Sequence, residues 1–200
     1  MGIRIKYNSP VILTFALLCL IVMLLSMAFG EQFLRTWFVT ARGPLQNPMT
    51  FLRMFTYVLG HTSMEHFISN MMLLLLVGPI VEQRYGSAMT LITILVTAFF
   101  TAIANMVTSR NGLIGCSGVV FAMIILCSMT FYRSKTIPLT TVLVLALYLG
   151  QEIYSAVVLQ DQVSQMGHII GGITGAAFGY FLEGGNRLSR KKFQREETEL

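Results

Sequence analysis

The sequence predicts an all-α polytopic membrane protein, a bundle of six transmembrane helices with a long, partly membrane-embedded first outer loop. Of the 200 residues, 54% are hydrophobic and only 12% are charged. A water-soluble domain carries about 25% charged residues, so there is too little polar surface here to cover a globule in water. The mean hydropathy is +0.69. The apolar residues also gather into stretches of helical length, to be compared with the roughly 20 residues that cross a bilayer's hydrocarbon.

Six such stretches follow in order. The first runs from about Val11 to Phe29. Arg4 and Lys6 before it, and Ser26-Met27-Ala28 within it, also admit a cleaved signal peptide. The run exceeds the usual signal core, which favours a retained helix. The outer connection that follows, about Gly30 to Gly60, is long and rich in aromatics: Phe33, Trp37, Phe38, Phe51, Phe55 and Tyr57. Such side chains favour the lipid–water interface, so a structured element half-sunk in the outer leaflet is expected. The second stretch covers about Met64 to Val81 and the third about Ala88 to Val107. The fourth spans about Ser117 to Tyr132, the fifth about Pro138 to Leu159 and the sixth about Gln165 to Leu182. The fourth and sixth are short, as suits helices that begin below the membrane surface within a protein bundle. In the sixth, Gly167, Gly171, Gly175 and Gly179 lie on one helical face and permit close packing of a neighbour.

Charge sets the orientation. With the amino terminus inside, the inner segments carry Arg4, Lys6, Arg84, Arg133, Lys135 and five basic residues between Arg187 and Arg195. The outer segments carry Arg35, Arg42, Arg53 and Arg110. This bias places both termini in the cytoplasm. Residues 1–10 then form a cytoplasmic amino terminus, 11–183 the six-helix membrane domain and 184–200 a basic, charged cytoplasmic tail. The net charge of +5 comes with no nucleic-acid-binding motif, and the tail cluster suits orientation or contact with anionic headgroups instead. Cys19, Cys116 and Cys127 are odd in number, embedded in apolar runs and without metal-ligand spacing, so they read as small buried hydrophobes.

Polar and ionisable residues at membrane depth are costly and mark function by default. Ser117, framed by Gly115, Cys116 and Gly118, falls at the start of the fourth stretch. There, unpaired helix N–H groups and the positive end of the dipole suit a developing oxyanion. His168 lies beside the glycine face of the sixth stretch, within reach of whatever packs on it. The pair suggests a nucleophile and its general base. His61 and His66 bracket the start of the second stretch, and Asn70 shares a face with His66 at i,i+4. An imidazole and a carboxamide together offer N–H donors to a tetrahedral intermediate. Phe121, at i+4 from Ser117, offers a flat surface for the His168 ring. Cys116, about a hundred degrees around a helix from Ser117, reads as packing. Glu82, within Gly78-x-x-x-Glu82-x-x-x-Gly86, reads as a structural acceptor near the inner surface. Zinc on His61, His66 and His168 is disfavoured because the His-Glu-x-x-His pattern is missing. No metal or other cofactor is expected.

Four motifs occur in order: His61-x-x-x-x-His66-x-x-x-Asn70, Gly78-x-x-x-Glu82-x-x-x-Gly86, Gly115-Cys116-Ser117-Gly118 and His168-x-x-Gly171-x-x-x-Gly175. On these residues the chain resembles the rhomboid intramembrane serine proteases over roughly Phe51 to Leu182. The resemblance implies a six-helix bundle around a water-filled cavity open to the outer face. It implies Ser117 as nucleophile and His168 as base, with the Ser117 N–H, His66 and Asn70 as oxyanion donors. His61, Phe121, Gly115, Gly118, Gly171, Glu82 and Arg53 take supporting places. Phe121 stands where tyrosine is frequent in the family, Leu52-Arg53 where Trp-Arg is common, and Gly167 where alanine is usual. None of these changes removes a catalytic group.

The function so implied is that of a serine endopeptidase cleaving transmembrane protein substrates near the outer leaflet, in a bacterial inner membrane. The alternative is a non-catalytic rhomboid-like binder of membrane proteins. A transporter is disfavoured because no inverted repeat is visible.

Overall fold

A computed structural model of the chain describes residues 7–132 and 167–182, together with positions 139, 142, 143, 146, 147 and 150. Most of the expected fifth stretch and the whole tail at 184–200 lie outside these residues. The six described positions between 139 and 150 are helical and exposed.

Helix α1 (Pro10–Phe38) opens with a proline at its first position, where the missing N–H has no helical acceptor to lose. It is interrupted at Gly30 (φ 79°, ψ −178°), a conformation that ends the membrane-length portion at residue 29. Residues 31–38 then resume the helix, with Phe29, Phe33 and Phe38 in successive ring contact at 5.7 Å. The stretch read as a long connection is therefore mostly helical. After a short irregular segment, α2 (Pro48–Thr56) starts from Asn47, whose side chain accepts the Met49 N–H. One 3₁₀ turn, Tyr57–Leu59, follows it. Arg53 donates from Nε to the Thr36 carbonyl at 2.7 Å, and the Thr56 hydroxyl donates to that of Trp37 at 2.6 Å. These bonds fold α2 back onto the end of α1.

Helix α3 (Met64–Tyr85) runs a turn beyond the stretch expected from hydropathy, and α4 (Ser87–Thr108) follows after Gly86 alone. Helix α5 (Ser117–Tyr132) and helix α6 (Gly167–Leu182) are apolar but shorter. Among the described residues, α1, α3 and α4 are long and apolar enough to cross a membrane. The described structure is otherwise helical, with one isolated β-bridge between Thr40 and Leu113.

Helix α3 sits centrally, packed most extensively on α5 and on its other flank against α1. Met71, Leu74 and Val81 of α3, Val120, Met123 and Cys127 of α5, and Ile12 and Cys19 of α1 build the core. Helix α4 turns an unusual stripe inward: Thr90, Thr93, Thr97, Thr101 and Asn105 are all buried. Thr90 and Thr93 satisfy their hydroxyls on the carbonyls of Gly86 and Met89, one turn back. Large apolar side chains line the outside instead, among them Leu17, Leu24, Met72, Leu76, Leu91 and Phe100. An apolar exterior of this extent around a polar-striped interior is stable in lipid and not in water. The chain is an integral membrane protein.

Glu82 joins three helices. Its carboxylate accepts the Val11 and Ile12 N–H groups at 3.0 Å each and the Ser87 hydroxyl at 2.7 Å. The first turn of α1 has no internal acceptors for these amides, and a carboxylate there also meets the positive end of the helix dipole. Read from sequence as a structural acceptor near the inner surface, Glu82 serves the starts of two helices. Glu82→Gln replaces one acceptor oxygen with a donor facing an N–H. It should lower unfolding free energy in detergent by about 2 kcal/mol, read against the lipid-facing Leu76→Ala, which should change it little.

Candidate active site

Ser117 is the first residue of α5. The Cys116 carbonyl accepts the first helical N–H, from Val120, at 2.9 Å. The Ser117 N–H therefore belongs to the opening turn, whose amides have no intrahelical acceptor. The serine itself is half-buried, between a sealed core and the surface. The turn before it depends on Gly115, which adopts φ 113° and donates its N–H to the Tyr57 carbonyl at 3.0 Å. A side chain there would be strained and would also run into the His66 ring, 2.6 Å from where its Cβ would stand. Cys116 thus precedes the helix, so the hundred-degree offset read from sequence does not apply. Its thiol is fully buried, 3.5 Å from His61 Nε2.

The His66 ring is held against Gly115 from the other side. Ser63 caps α3 by accepting the His66 N–H at 3.1 Å, which places His66 in the first turn of that helix. The Thr62 hydroxyl approaches His66 Nδ1 at 3.4 Å. Asn70, one turn further on, is buried, and its Nδ2 has no hydrogen-bond partner among the described residues. His61 lies behind both, edge-on to the rings of His66 and Phe67 at 5.1 and 5.5 Å. Burial, and after it the nearby charge of His66, pushes the His61 imidazole down from 6.5 to about 3. It is neutral at physiological pH.

His168 comes from α6 through a contact of backbones. A Cβ added at Gly118 would stand 2.9 Å from the Gly167 carbonyl oxygen, and one at Gly171 would collide with the Gly118 carbonyl. One turn on, Gly175 meets the Ala122 carbonyl in the same way. This seam brings the start of α6 against the start of α5. His168 is buried, its ring stacked on Phe121 at 5.7 Å and 23°. Ser117, Gly118, Phe121, His168 and Gly171 thus share one helix junction, with His66 and Gly115 closing its other side. Arg53 and Glu82 lie elsewhere. Arg53 ties α2 to α1, and Glu82 is twelve residues along α3 from Asn70, about 18 Å by helical rise.

Three contributors escape a sequence reading. Arg42 donates from Nε to the Met106 carbonyl at 2.8 Å and from Nη2 to that of Val107 at 2.9 Å, capping the end of α4. Thr40 and Leu113 exchange backbone bonds at 3.0 and 2.7 Å, holding the segment that leads to Gly115. Ser63 was recoverable, because a serine three residues before His66 has the spacing of an N-cap. Among the described residues, no group of three His, Cys, Asp or Glu side chains is arranged to hold a metal ion.

A family model, the Rhomboid domain, matches residues 48–184, more than half of the chain. The chain belongs to the rhomboid family. The matched rhomboid region begins with the first residue of α2, so α1 lies before it and joins it through Glu82 and Arg53.

Two expectations follow from the geometry of this rhomboid domain. His61 is protonated far more readily in the unfolded chain than in the folded one, so folding loses stability as pH falls from about 6.5 toward 3. The slope from one such group reaches at most about 1.4 kcal/mol per pH unit. Denaturation followed across this range should show that component in the native protein and lack it in His61→Gln. Separately, Gly171→Ala should force α5 and α6 apart and cost about 1–3 kcal/mol. Ile173→Ala, on the exposed face of α6, should leave the melting temperature in detergent nearly unchanged.

Proposed function

We propose that this rhomboid domain is an intramembrane serine endopeptidase in which Ser117 is the nucleophile and His168 its general base. One observation carries the reading. The Phe121–His168 stack sits over the Gly118–Gly171 seam, so a buried imidazole and a helix-opening serine occupy the same junction between α5 and α6. Ser117 Oγ attacks a substrate peptide carbonyl while a His168 ring nitrogen takes its proton. That proton then passes to the leaving amine, and water cleaves the acyl-enzyme by the same route in reverse. Its stacking on Phe121 orients the ring.

The oxyanion would be met by the Ser117 N–H, His66 and Asn70. The Asn70 amide supports this role, being a buried donor with no acceptor among the described residues. Such a donor is costly in a ground state and useful only when a negative oxygen forms nearby. Neutral His61 supports His66 from behind, and its uncharged state spares the site a second positive charge. We place the domain in a six-span bundle with both termini cytoplasmic, in a bacterial inner membrane, with 11–183 as the membrane domain and 184–200 as its basic tail. The aromatic stretch after Gly30 would rest in the outer leaflet. Substrates would be transmembrane segments unwound near that leaflet, because an intact helix occupies its own amides.

Cleavage of a helix-destabilised membrane substrate by the purified protein tests this. Ser117→Ala and His168→Ala should each abolish turnover and labelling by a fluorophosphonate probe. His66→Ala or Asn70→Ala should lower kcat by about 10²–10³ if it serves as a principal oxyanion donor. Full activity in Ser117→Ala would remove the assignment. A folded wild-type protein that neither cleaves nor labels would favour the non-catalytic membrane-protein binder.

A further inference from the structure

The start of α3 carries a charge that the catalytic chemistry leaves without a task. Ser63 caps the helix, Met64 opens it, and Glu65 is the acid of its first turn. Glu65 is exposed, while His66 beside it is half-buried and packed on Gly115. Among the described residues, no ion pair involves Glu65. Its neighbours along the chain supply no cation. Three and four residues on stand Ile68 and Ser69, and the Ser69 hydroxyl donates to the His66 carbonyl at 3.1 Å. Three and four residues back stand Thr62 and His61, the latter buried and neutral. Three arginines near this end of the bundle are engaged elsewhere. Arg35 pairs with Glu31 at 2.6 Å, Arg42 holds the Met106 and Val107 carbonyls, and Arg53 holds that of Thr36.

An acid anywhere in a first helical turn favours the dipole; the face it occupies decides what else it meets. Successive residues turn by about 100°, so Glu65, Met72 and Leu76 fall within about 40° of one another. Met72 and Leu76 are both exposed. His66 and Asn70, which face the candidate site, lie about 100° and 140° around the helix from Glu65. Glu65 thus heads an apolar, outward stripe and stands one residue from a ring that closes the junction. A membrane-embedded segment lying along that stripe would bring its end to the carboxylate, and the peptide beyond it toward His66 and Ser117.

Resting on the peptidase reading, we infer that Glu65 is a specificity determinant of the same site, selecting transmembrane substrates that carry Lys or Arg close to the cleaved bond over those with Asp or Glu there. The selection is electrostatic. At the border of hydrocarbon and water, a pair of opposite charges is less screened than in bulk solvent. Because Glu65 has no ion pair within the described structure, no bridge must break before a substrate cation engages it. An exposed pair is weak, so the result is a preference of several-fold and not an absolute requirement. The acid adds nothing to bond cleavage itself, which stays with Ser117 and His168.

The test uses the full chain in detergent and matched membrane substrates that differ only in Lys, Gln or Glu, placed at successive positions on either side of the cleaved bond. At the position that meets residue 65, the wild-type protein should give a kcat/KM about fivefold higher for Lys than for Glu, with Gln between them. Glu65→Gln should bring that ratio within about twofold of unity, and Glu65→Lys should invert it. Each ratio is internal to one enzyme, so a general loss of activity cancels. Arg110→Gln, which removes an exposed charge between α4 and α5, should keep the wild-type ratio. Salt at about 1 M, where screening acts over roughly 3 Å, should flatten it. Equal cleavage of every substrate by the wild-type protein would overturn the inference and leave the peptidase reading standing, as would a Lys preference that survives in Glu65→Gln. Cleavage of none would remove both. Should Glu65→Lys fail to fold, Glu65→Gln decides.

Discussion

Two helices can bring their backbones into contact only where neither carries a side chain at the crossing. The junction of α5 and α6 meets that condition at Gly118 and Gly171, and the rest of the candidate site follows from it. Because the helices touch, His168 enters at the level of the first turn of α5, and Phe121 lies under its ring. A separation larger by one methyl group would displace the imidazole relative to Ser117. In lipid this close approach is also a source of stability, since helices there gain little from burying apolar surface and depend on tight packing.

The opposite wall is built from different materials. His66 reaches Gly115 because Ser63 sets the start of α3 and because Gly115 lacks a side chain. His61 fills the space behind and stays uncharged through burial. The junction therefore has a smooth, glycine-lined side supplied by α5 and α6, and a polar, hydrogen-bonded side supplied by α3. Glu82, far from both, holds the helices that support this arrangement in register. The buried threonines of α4 lie on the inner face of the same bundle.

Much of this was written into local sequence. Apolar runs of helical length place α1, α3, α4, α5 and α6. The i,i+4 spacing of His66 and Asn70, and the four-residue repeat of glycines from 167 to 179, identify faces directly. What local sequence could not carry was contact at long range and departure from helical phase. Helix α1 resumes after Gly30, over residues 31–38, where the first apolar stretch has already ended. Cys116 turns away from its expected direction because it precedes the helix, following Gly115 in an unusual conformation. Arg42, Arg53 and Glu82 carry charges whose partners include backbone atoms 17 to 71 residues distant in the chain. A carbonyl or amide has no signature in sequence, so those pairings emerge only in three dimensions.

The clamp formed by Arg42 has a mechanical implication. Four hydrogen bonds, two from its guanidinium and two from the Thr40–Leu113 bridge, fasten the link between α1 and α2 to α4 and to the strand of chain leading to the serine. Swinging that flank outward would sever them together, at about 1 kcal/mol net apiece. An opening on this side would then be populated roughly a thousandfold less than one elsewhere that broke no such bonds. The flank behaves as a hinge post and not as a door.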